Sequence, residues 1–185
     1  MAKNNSYPPM RSSDEADSKQ LDMARAQGEA MMRAAEHMMN EEADDGSSKH
    51  VGDYLIGYAV EEAEGMYMPN GDDLVWQAPN EENLHVEVVV ADAADKRFIP
   101  GLTVHATLID PNGNEVGTHQ QPFLWHPWLY HYGRNWKVPS DGTYKLRVEV
   151  ERPDFGRHDK ENGKRFAEAV TVEFDSVQVK TGQKK

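Results

Sequence analysis

From about residue 50 onward, apolar and polar residues alternate in short runs. In residues 84–91 the apolar side chains at positions 84, 86, 88 and 90 fall on one face of a strand, and His85 and Glu87 fall on the other. The same alternation recurs at residues 51–60, 102–108, 144–150 and 169–174, with turn-forming sequences at 110–113 and 140–142. Short alternating strands separated by such turns are typical of two packed antiparallel sheets, so we predict an all-β fold, an antiparallel β-sandwich.

A different periodicity precedes the strands. Residues 18–39 are rich in good helix formers, and small or apolar residues recur there at spacings of three and four, at Leu21, Ala24, Gly28, Met31, Ala35 and Met38. This pattern predicts an amphipathic helix that packs on the domain or on a partner. The polar residues 1–20 predict a disordered tail, and the acidic residues 40–48 predict a flexible linker.

These patterns divide the chain into three parts. Residues 1–48 form an extension of disordered tail, Met-rich helix and acidic linker; residues 49–180 form the β-sandwich; residues 181–185 form a polar tail. Two stretches of the sandwich break the alternation: the aromatic residues 121–135, with two histidines and two prolines, and the polar residues 153–165. We predict that both are structured loops, where binding usually occurs in sandwich folds.

The charge balance and the missing residue types exclude several functions. Lys and Arg number 20 against 32 Asp and Glu, so the net charge is −12. An acidic chain repels phosphate, which argues against nucleic acid as a partner and against anionic membrane surfaces. Cysteine is absent, which excludes disulfides, thiolate metal sites and cysteine nucleophiles. No nucleophile motif, HExxH sequence or phosphate loop is present, so we predict that the chain is not an enzyme.

Histidines are the most informative polar residues that remain. His85 and Glu87 lie two apart on the polar face of one predicted strand, where an imidazole and a carboxylate can supply two ligands to a divalent ion. His131 lies between two tyrosines in the aromatic stretch, and His158 lies in the polar loop. Each signal alone is weak, because a histidine on a strand surface or in a loop is most often solvated.

Three segments taken together resemble a known family. Residues 84–93 (LHVEVVVADA), 130–135 (YHYGRN) and 157–163 (RHDKENG) are similar, in this order, to motifs of the periplasmic iron-transport-associated metal-binding proteins. The resemblance spans about residues 52–176. It implies an immunoglobulin-like β-sandwich that forms a homodimer and binds copper or iron. It also implies that the protein lies outside the cytoplasm and works with a membrane iron permease. No apolar stretch of a secretory signal is visible in residues 1–20.

The resemblance also implies a ligand set. His85, His131 and His158 match the histidine ligands of the family, and Glu87 matches its nearby carboxylate. The methionine ligand of the family does not carry over, because Leu124 stands at its position, seven residues before His131. The substitute donors that we consider are the sulfur atoms of Met66 and Met68 and the imidazole of His126.

Two functional hypotheses follow. The first is a transition-metal-binding accessory protein of iron uptake, which holds copper or iron in a His-rich site and assists a membrane iron permease. The second is an immunoglobulin-like protein-interaction module in which the histidines are incidental. Only the first predicts stoichiometric metal binding that is lost when His85 or His131 is replaced.

Overall fold

Two packed antiparallel sheets and one helix make up most of the structure, a computed structural model that describes residues 9–184. The helix α1 spans Ser18–His37 and continues into a short π-helix at Met38–Glu42. The strands are β1 Asp45–Val51, β2 Tyr54–Glu61, β3 Met66–Asn70, β4 Asp73–Gln77, β5 Leu84–Asp92, β6 Val104–Ile109, β7 Glu115–Gln120, β8 Phe123–Trp125, β9 Tyr130–Trp136, β10 Gly142–Val150 and β11 Val170–Val179.

The sheets have the topology of a sandwich. A five-stranded sheet has the order β1-β2-β5-β9-β8, a four-stranded sheet has the order β11-β10-β6-β7, and β3 and β4 form a separate ribbon. All these pairs are antiparallel. The predicted all-β antiparallel fold is therefore confirmed. The stretch 121–135, predicted as a loop, instead contains β8 and most of β9.

Alternate residues of the strands fill the space between the two sheets. The buried core includes Leu84, Val86, Val88 and Val90 of β5, packed with Tyr144, Leu146 and Val148 of β10. Because successive side chains of a strand point to opposite faces, His85 and Glu87 lie on the outer face of the five-stranded sheet. This face is also buried, since all nine residues of β5 are buried.

The helix covers part of that outer face. Asp17 and Gln20 cap its first turn through reciprocal hydrogen bonds between side chain and backbone. Its apolar side packs on the five-stranded sheet, in a cluster of Met32, Ala35, Met38, Met39, Leu55, Ala59, Val89, Ala91 and Leu129. Met32 is buried where the sequence pattern predicts Met31. Within residues 9–184, no helix combines the length and the apolar character needed to cross a membrane.

The acidic segment 40–48 is part of the folded structure rather than a flexible linker. It contains the end of the π-helix and the start of β1, which pairs with β2 along its whole length. The boundary predicted after residue 48 therefore falls inside β1. The alternation is missing here because β1 is an edge strand whose central residues are exposed.

Both terminal segments are anchored where the structure describes them. The Ser13 hydroxyl donates to Asp159, and the backbone of Arg11 bonds to the Asn162 side chain. The predicted disordered tail thus has fixed contacts after residue 9, while residues 1–8 lie outside the described residues. At the other end, Gln183 forms a parallel β-bridge with Ala63.

Candidate metal centre

Three donor side chains meet on the outer face of the five-stranded sheet. His85 and Glu87 come from β5 and His131 from β9, and one potential ligand atom of each lies within 4.8 Å of the others. Glu87 Oε1 is 3.6 Å from His131 Nε2 and 3.9 Å from His85 Nε2. The side chains of His85, His131 and Glu87 are only 0%, 2% and 6% exposed. The structure thus brings together three of the four predicted ligands.

Strand register explains why these side chains converge. Opposite pairs between β5 and β9 are His85 with Asn135 and Glu87 with Gly133, which places His131 diagonally beside Glu87 on the same face. Gly133 lies in the middle of the group. A Cβ atom there would lie 3.0 Å from His85 Nε2 and 2.9 Å from His131 Cδ2. The missing side chain therefore leaves the space between the three donors.

Asn135 fixes the orientation of His85. The Nδ1 atom of His85 lies 2.8 Å from Asn135 Oδ1, and the Asn135 amide donates to the backbone carbonyl of Glu64 at 2.7 Å. Since the amide nitrogen is committed to that carbonyl, Oδ1 is the acceptor and His85 carries its proton on Nδ1. The lone pair of His85 is then on Nε2, which faces Glu87.

Each of the three side chains has at least one nitrogen or oxygen atom without a hydrogen-bond partner within the described residues. His85 Nε2, Glu87 Oε2 and both ring nitrogens of His131 are buried and unpaired. Burying such atoms without partners costs free energy, and a coordinated ion removes that cost. Two imidazoles and one carboxylate form the donor set that proteins use for Fe(II), and imidazole also suits Cu(II). The residues present therefore fit a transition-metal ion.

Electrostatics keep the imidazoles of the metal-free group neutral. Burial, helped by the imidazoles of His85 and His126, lowers the pKa of His131 to about 3. Burial also lowers the pKa of His85, against the opposing effect of the Glu64 carboxylate. Burial and the neighbouring carboxylates of Glu61 and Glu64 raise the pKa of Glu87 to about 8. The imidazoles are thus ready to bind an ion at neutral pH, whereas Glu87 must first lose a proton.

A group of three carboxylates adjoins the candidate metal centre and shares Glu87 with it. Potential ligand oxygens of Glu61, Glu64 and Glu87 lie within 4.8 Å of one another. The Lys184 ammonium lies 2.6 Å from Glu61 Oε2 and 3.2 Å from Glu64 Oε2. Burial alone would lower the pKa of Lys184, but these two carboxylates raise it above its ordinary value, so the ammonium is charged.

Leu124 lines the metal centre, as its match to the family methionine predicts. It pairs with His131 across β8 and β9, and its Cδ1 atom would lie 3.1 Å from a Cβ atom at Gly133. Of the substitute donors, His126 has its ring centre 6.4 Å from that of His131, with a buried and unpaired Nδ1. Met66 and Met68 lie on β3, which begins two residues after Glu64.

The structure does not bring His158 to this group within one chain. Its side chain is 99% exposed, and its Nδ1 atom is 3.9 Å from Glu15. The loop that carries it is tied by Arg165 to Asp92, at the end of β5 opposite His85. The assignment of His158 as a ligand stays a prediction.

Sequence reasoning missed several residues of the site. Asn135 and Gly133 lie in the recognised segment 130–135, but their roles depend on the register between β5 and β9. Glu61, Glu64 and Lys184 belong to segments that come together only in the folded chain. The only signal for the carboxylates in the sequence is the acidic run at residues 61–64.

Comparisons with known proteins support the fold. A search of curated protein sequences finds no match. The chain is similar to the copper-reconstituted P19 protein of Campylobacter jejuni, with a TM-score of 0.61 and 21% identity over 75% of this chain and 96% of P19. It is also similar to FetP of uropathogenic Escherichia coli strain F11, with a TM-score of 0.57 and 18% identity over 72% of this chain and 93% of FetP. At such identities these likenesses show the fold.

A family model shows the relation of this chain to known proteins at the level of sequence. The model of the Fe2+ transport proteins matches residues 33–179, from the second half of α1 to the end of β11. The matched range contains every donor of the metal centre. The chain belongs to the Fe2+ transport protein family.

Proposed function

We propose that this chain is a transition-metal-binding accessory protein of iron transport, which holds a copper or iron ion between His85, Glu87 and His131. The observation that carries the proposal is the convergence of three buried side chains, each with a nitrogen or oxygen atom that has no hydrogen-bond partner among the described residues. Membership of the Fe2+ transport protein family supports the link to iron. The similar P19 and FetP structures that contain copper support that metal.

The chemistry of the donors favours binding over catalysis. Imidazole nitrogens bind Cu(II) most tightly among the divalent ions of the first transition row, and the added carboxylate also suits Fe(II). The donors are closed off from water, which suits retention of an ion until a partner receives it. We propose a membrane iron permease as that partner and a location outside the cytoplasm, in line with the family.

We also propose that the protein acts as a homodimer. His158 is almost fully exposed and lies beyond the far end of β5, so it can complete a metal site only on another chain. Any role of His158 in receiving or releasing an ion would likewise require a second chain.

Copper titration tests the proposal. Calorimetry at pH 7.5 should give one Cu(II) per wild-type chain, and His131→Gln should weaken binding by more than the roughly 10–100-fold caused by losing a hydrogen-bond partner of a ligand. His105→Gln is the matched control, because His105 lies on β6 in the other sheet. Equal affinity of the His131→Gln variant and the wild type would overturn the proposal.

A further inference from the structure

A cavity lies between α1 and the five-stranded sheet, where β5 extends past the end of its partner. The pairing of β5 with β9 stops at Val88, although β5 continues to Asp92. Val89 and Ala91 therefore line a space that the helix and the turn between β8 and β9 enclose, with a volume of about 220 Å³. An apolar cavity of roughly 150 Å³ is enough to bind one benzene ring. This cavity has room for such a ring together with a small substituent.

The walls of the cavity are apolar and largely aromatic. Its floor is buried, whereas the side chains of Trp125, Trp128 and Tyr130 are 69%, 43% and 45% exposed and form its rim. The backbone amide of His126 donates to the carbonyl of Leu129 at 3.1 Å and closes the turn that carries Trp128. This wall is therefore already formed in the free protein. A concave apolar space edged by aromatic rings favours a planar aromatic ligand.

The charge at the cavity is positive, although the chain as a whole carries a net charge of −12. Lys96 is the only Lys, Arg, Asp or Glu among the described residues that line it. The adjacent Asp95 carboxylate lies 2.8 Å from the Arg97 guanidinium and is bound there. Aromatic walls by themselves also accept a cation. Here the lysine repels a cation and no carboxylate of the lining offsets it, so the charge favours an anion.

An imidazole offers a second polar contact. His126 lines the cavity, and its Nδ1 atom is buried without a hydrogen-bond partner within the described residues. A buried polar atom without a partner costs free energy. A carboxylate oxygen of a bound ligand would accept a hydrogen bond from this nitrogen when it carries the imidazole proton.

We propose that this cavity binds a small planar aromatic anion, such as an aromatic carboxylate. The ring packs among the aromatic side chains of the rim, and the carboxylate faces the Lys96 ammonium. The proposal goes beyond the proposed function and does not depend on a bound ion, because none of His85, Glu87 and His131 lines the cavity.

Benzoate tests the site, with benzyl alcohol and benzylamine as probes of similar shape and different charge. Ligand-detected NMR titrations of the metal-free full chain give the three dissociation constants. Benzoate should bind saturably and at least about fivefold more tightly than benzylamine, because the lysine attracts one probe and repels the other. Equal affinity for benzylamine and benzoate overturns the proposal, and so does benzoate binding that shows no saturation by about 10 mM.

Replacing the lysine tests the charge. Lys96→Met should weaken benzoate binding about two- to fivefold, as expected for an exposed ionic contact, and leave benzyl alcohol binding unchanged. Methionine is unbranched like lysine and suits the same backbone, whose φ at this position is +66°. Lys180→Met is the matched control, because it removes the same charge just after β11 in the other sheet. Equal losses in both variants would contradict a role for Lys96.

Filling the cavity tests the location. Ala34 lines the cavity, so Ala34→Phe should abolish benzoate binding. Ala26 is exposed on the same helix about two turns earlier, and Ala26→Phe should leave binding as in the wild type. Benzoate binding that persists in Ala34→Phe overturns the site.

A second copy of the chain is the other occupant that the exposed aromatic rim could take. Benzoate titrations at several protein concentrations, with the mass measured by light scattering, separate the two. Benzoate affinity should be the same in the monomer and in any dimer. Affinity that falls as the dimer forms would assign the cavity to the contact between copies and overturn the ligand site.

Discussion

Leu124 is the residue at which this chain departs most clearly from the family pattern. Its side chain lines the metal centre but offers no donor atom. Leu124→Met would place a thioether beside two imidazoles, and thioethers favour Cu(I). We expect Cu(I) affinity to rise by about one to two orders of magnitude, measured by competition with a Cu(I) chelator.

The same substitution elsewhere serves as its control. Leu108 lies on β6 and is buried in the core between the two sheets, whereas the donors lie on the outer face of the other sheet, so Leu108→Met should leave Cu(I) affinity unchanged. Equal gains at both positions, or none at Leu124, would contradict the placement of Leu124 in the centre.

Glu87 gives metal binding a pH dependence. Its pKa is raised to about 8, so at pH 7 the metal-free centre holds a proton that an ion must displace. We expect affinity to rise about tenfold per pH unit from pH 6 to pH 8, with close to one proton released per ion at pH 7. Calorimetry in buffers of different ionisation enthalpy measures the release. Glu87→Gln should abolish it, and a release that persists in this variant would assign the proton to another group.

The same shifts affect the free energy of unfolding of the metal-free protein. A carboxyl with a raised pKa stays protonated in the fold while the unfolded chain ionises, so stability falls as pH rises from about 4.5 to about 8. His131, with its pKa lowered to about 3, acts oppositely and favours the fold as pH rises from 3 to 6.5. Between pH 6.5 and 8, His131 no longer changes the free energy of unfolding, whereas Glu87 still lowers it as the pH rises.

The candidate ligands were easier to select from the sequence than the residues that surround them. The alternation in β5 places His85 and Glu87 on one face, and their resemblance to a family segment links them to His131. The space left by Gly133 and the orientation given by Asn135 depend on how β5 and β9 align. That register is a long-range property, which local periodicity does not contain.

At the scale of elements, α1 depends on one close approach to the sheet. A Cβ atom on Gly28 would overlap the Asp95 carbonyl oxygen and lie 2.7 Å from the Arg97 amide nitrogen. Gly28→Ala should therefore destabilise the protein by about 1–3 kcal/mol, although alanine is the better helix former. Urea unfolding measures the change. Gly156→Ala, at a glycine with nothing within 4 Å, is the control and should be nearly neutral.

Strands were predictable where one face is buried and the other is polar. β10 and β11 follow this rule, and the sequence pattern indicates both. β1 and the ribbon of β3 and β4 are largely exposed on both faces, so they carry no alternation. The sequence did not predict β8 and β9, because the prolines and aromatic residues of this segment favour a loop. In the structure β9 pairs with β5 and β8 pairs with β9, so both strands join the sheet.

At the scale of the whole molecule, one measurement decides whether the protein is a homodimer. Light scattering should give twice the chain mass of 20.9 kDa at concentrations well above the dissociation constant. His158 is exposed and free to reach a second copy, which would give the dimer a role in metal binding. A monomer at the highest attainable concentration would contradict the dimer and leave His158 without a metal to bind.

The anchoring of residues 182–184 beside Ala63 also sets an order of events during synthesis. The ribosome makes His85, Glu87 and His131 before it reaches Lys184, which lies about a hundred residues after His85. At about 5–20 residues per second, the donors exist for several seconds before their ammonium neighbour. The strand β11 ends at Val179, however, so the sandwich that gathers these side chains is completed only as Lys184 itself is made. The folded chain therefore never presents Glu61 and Glu64 without their ammonium neighbour.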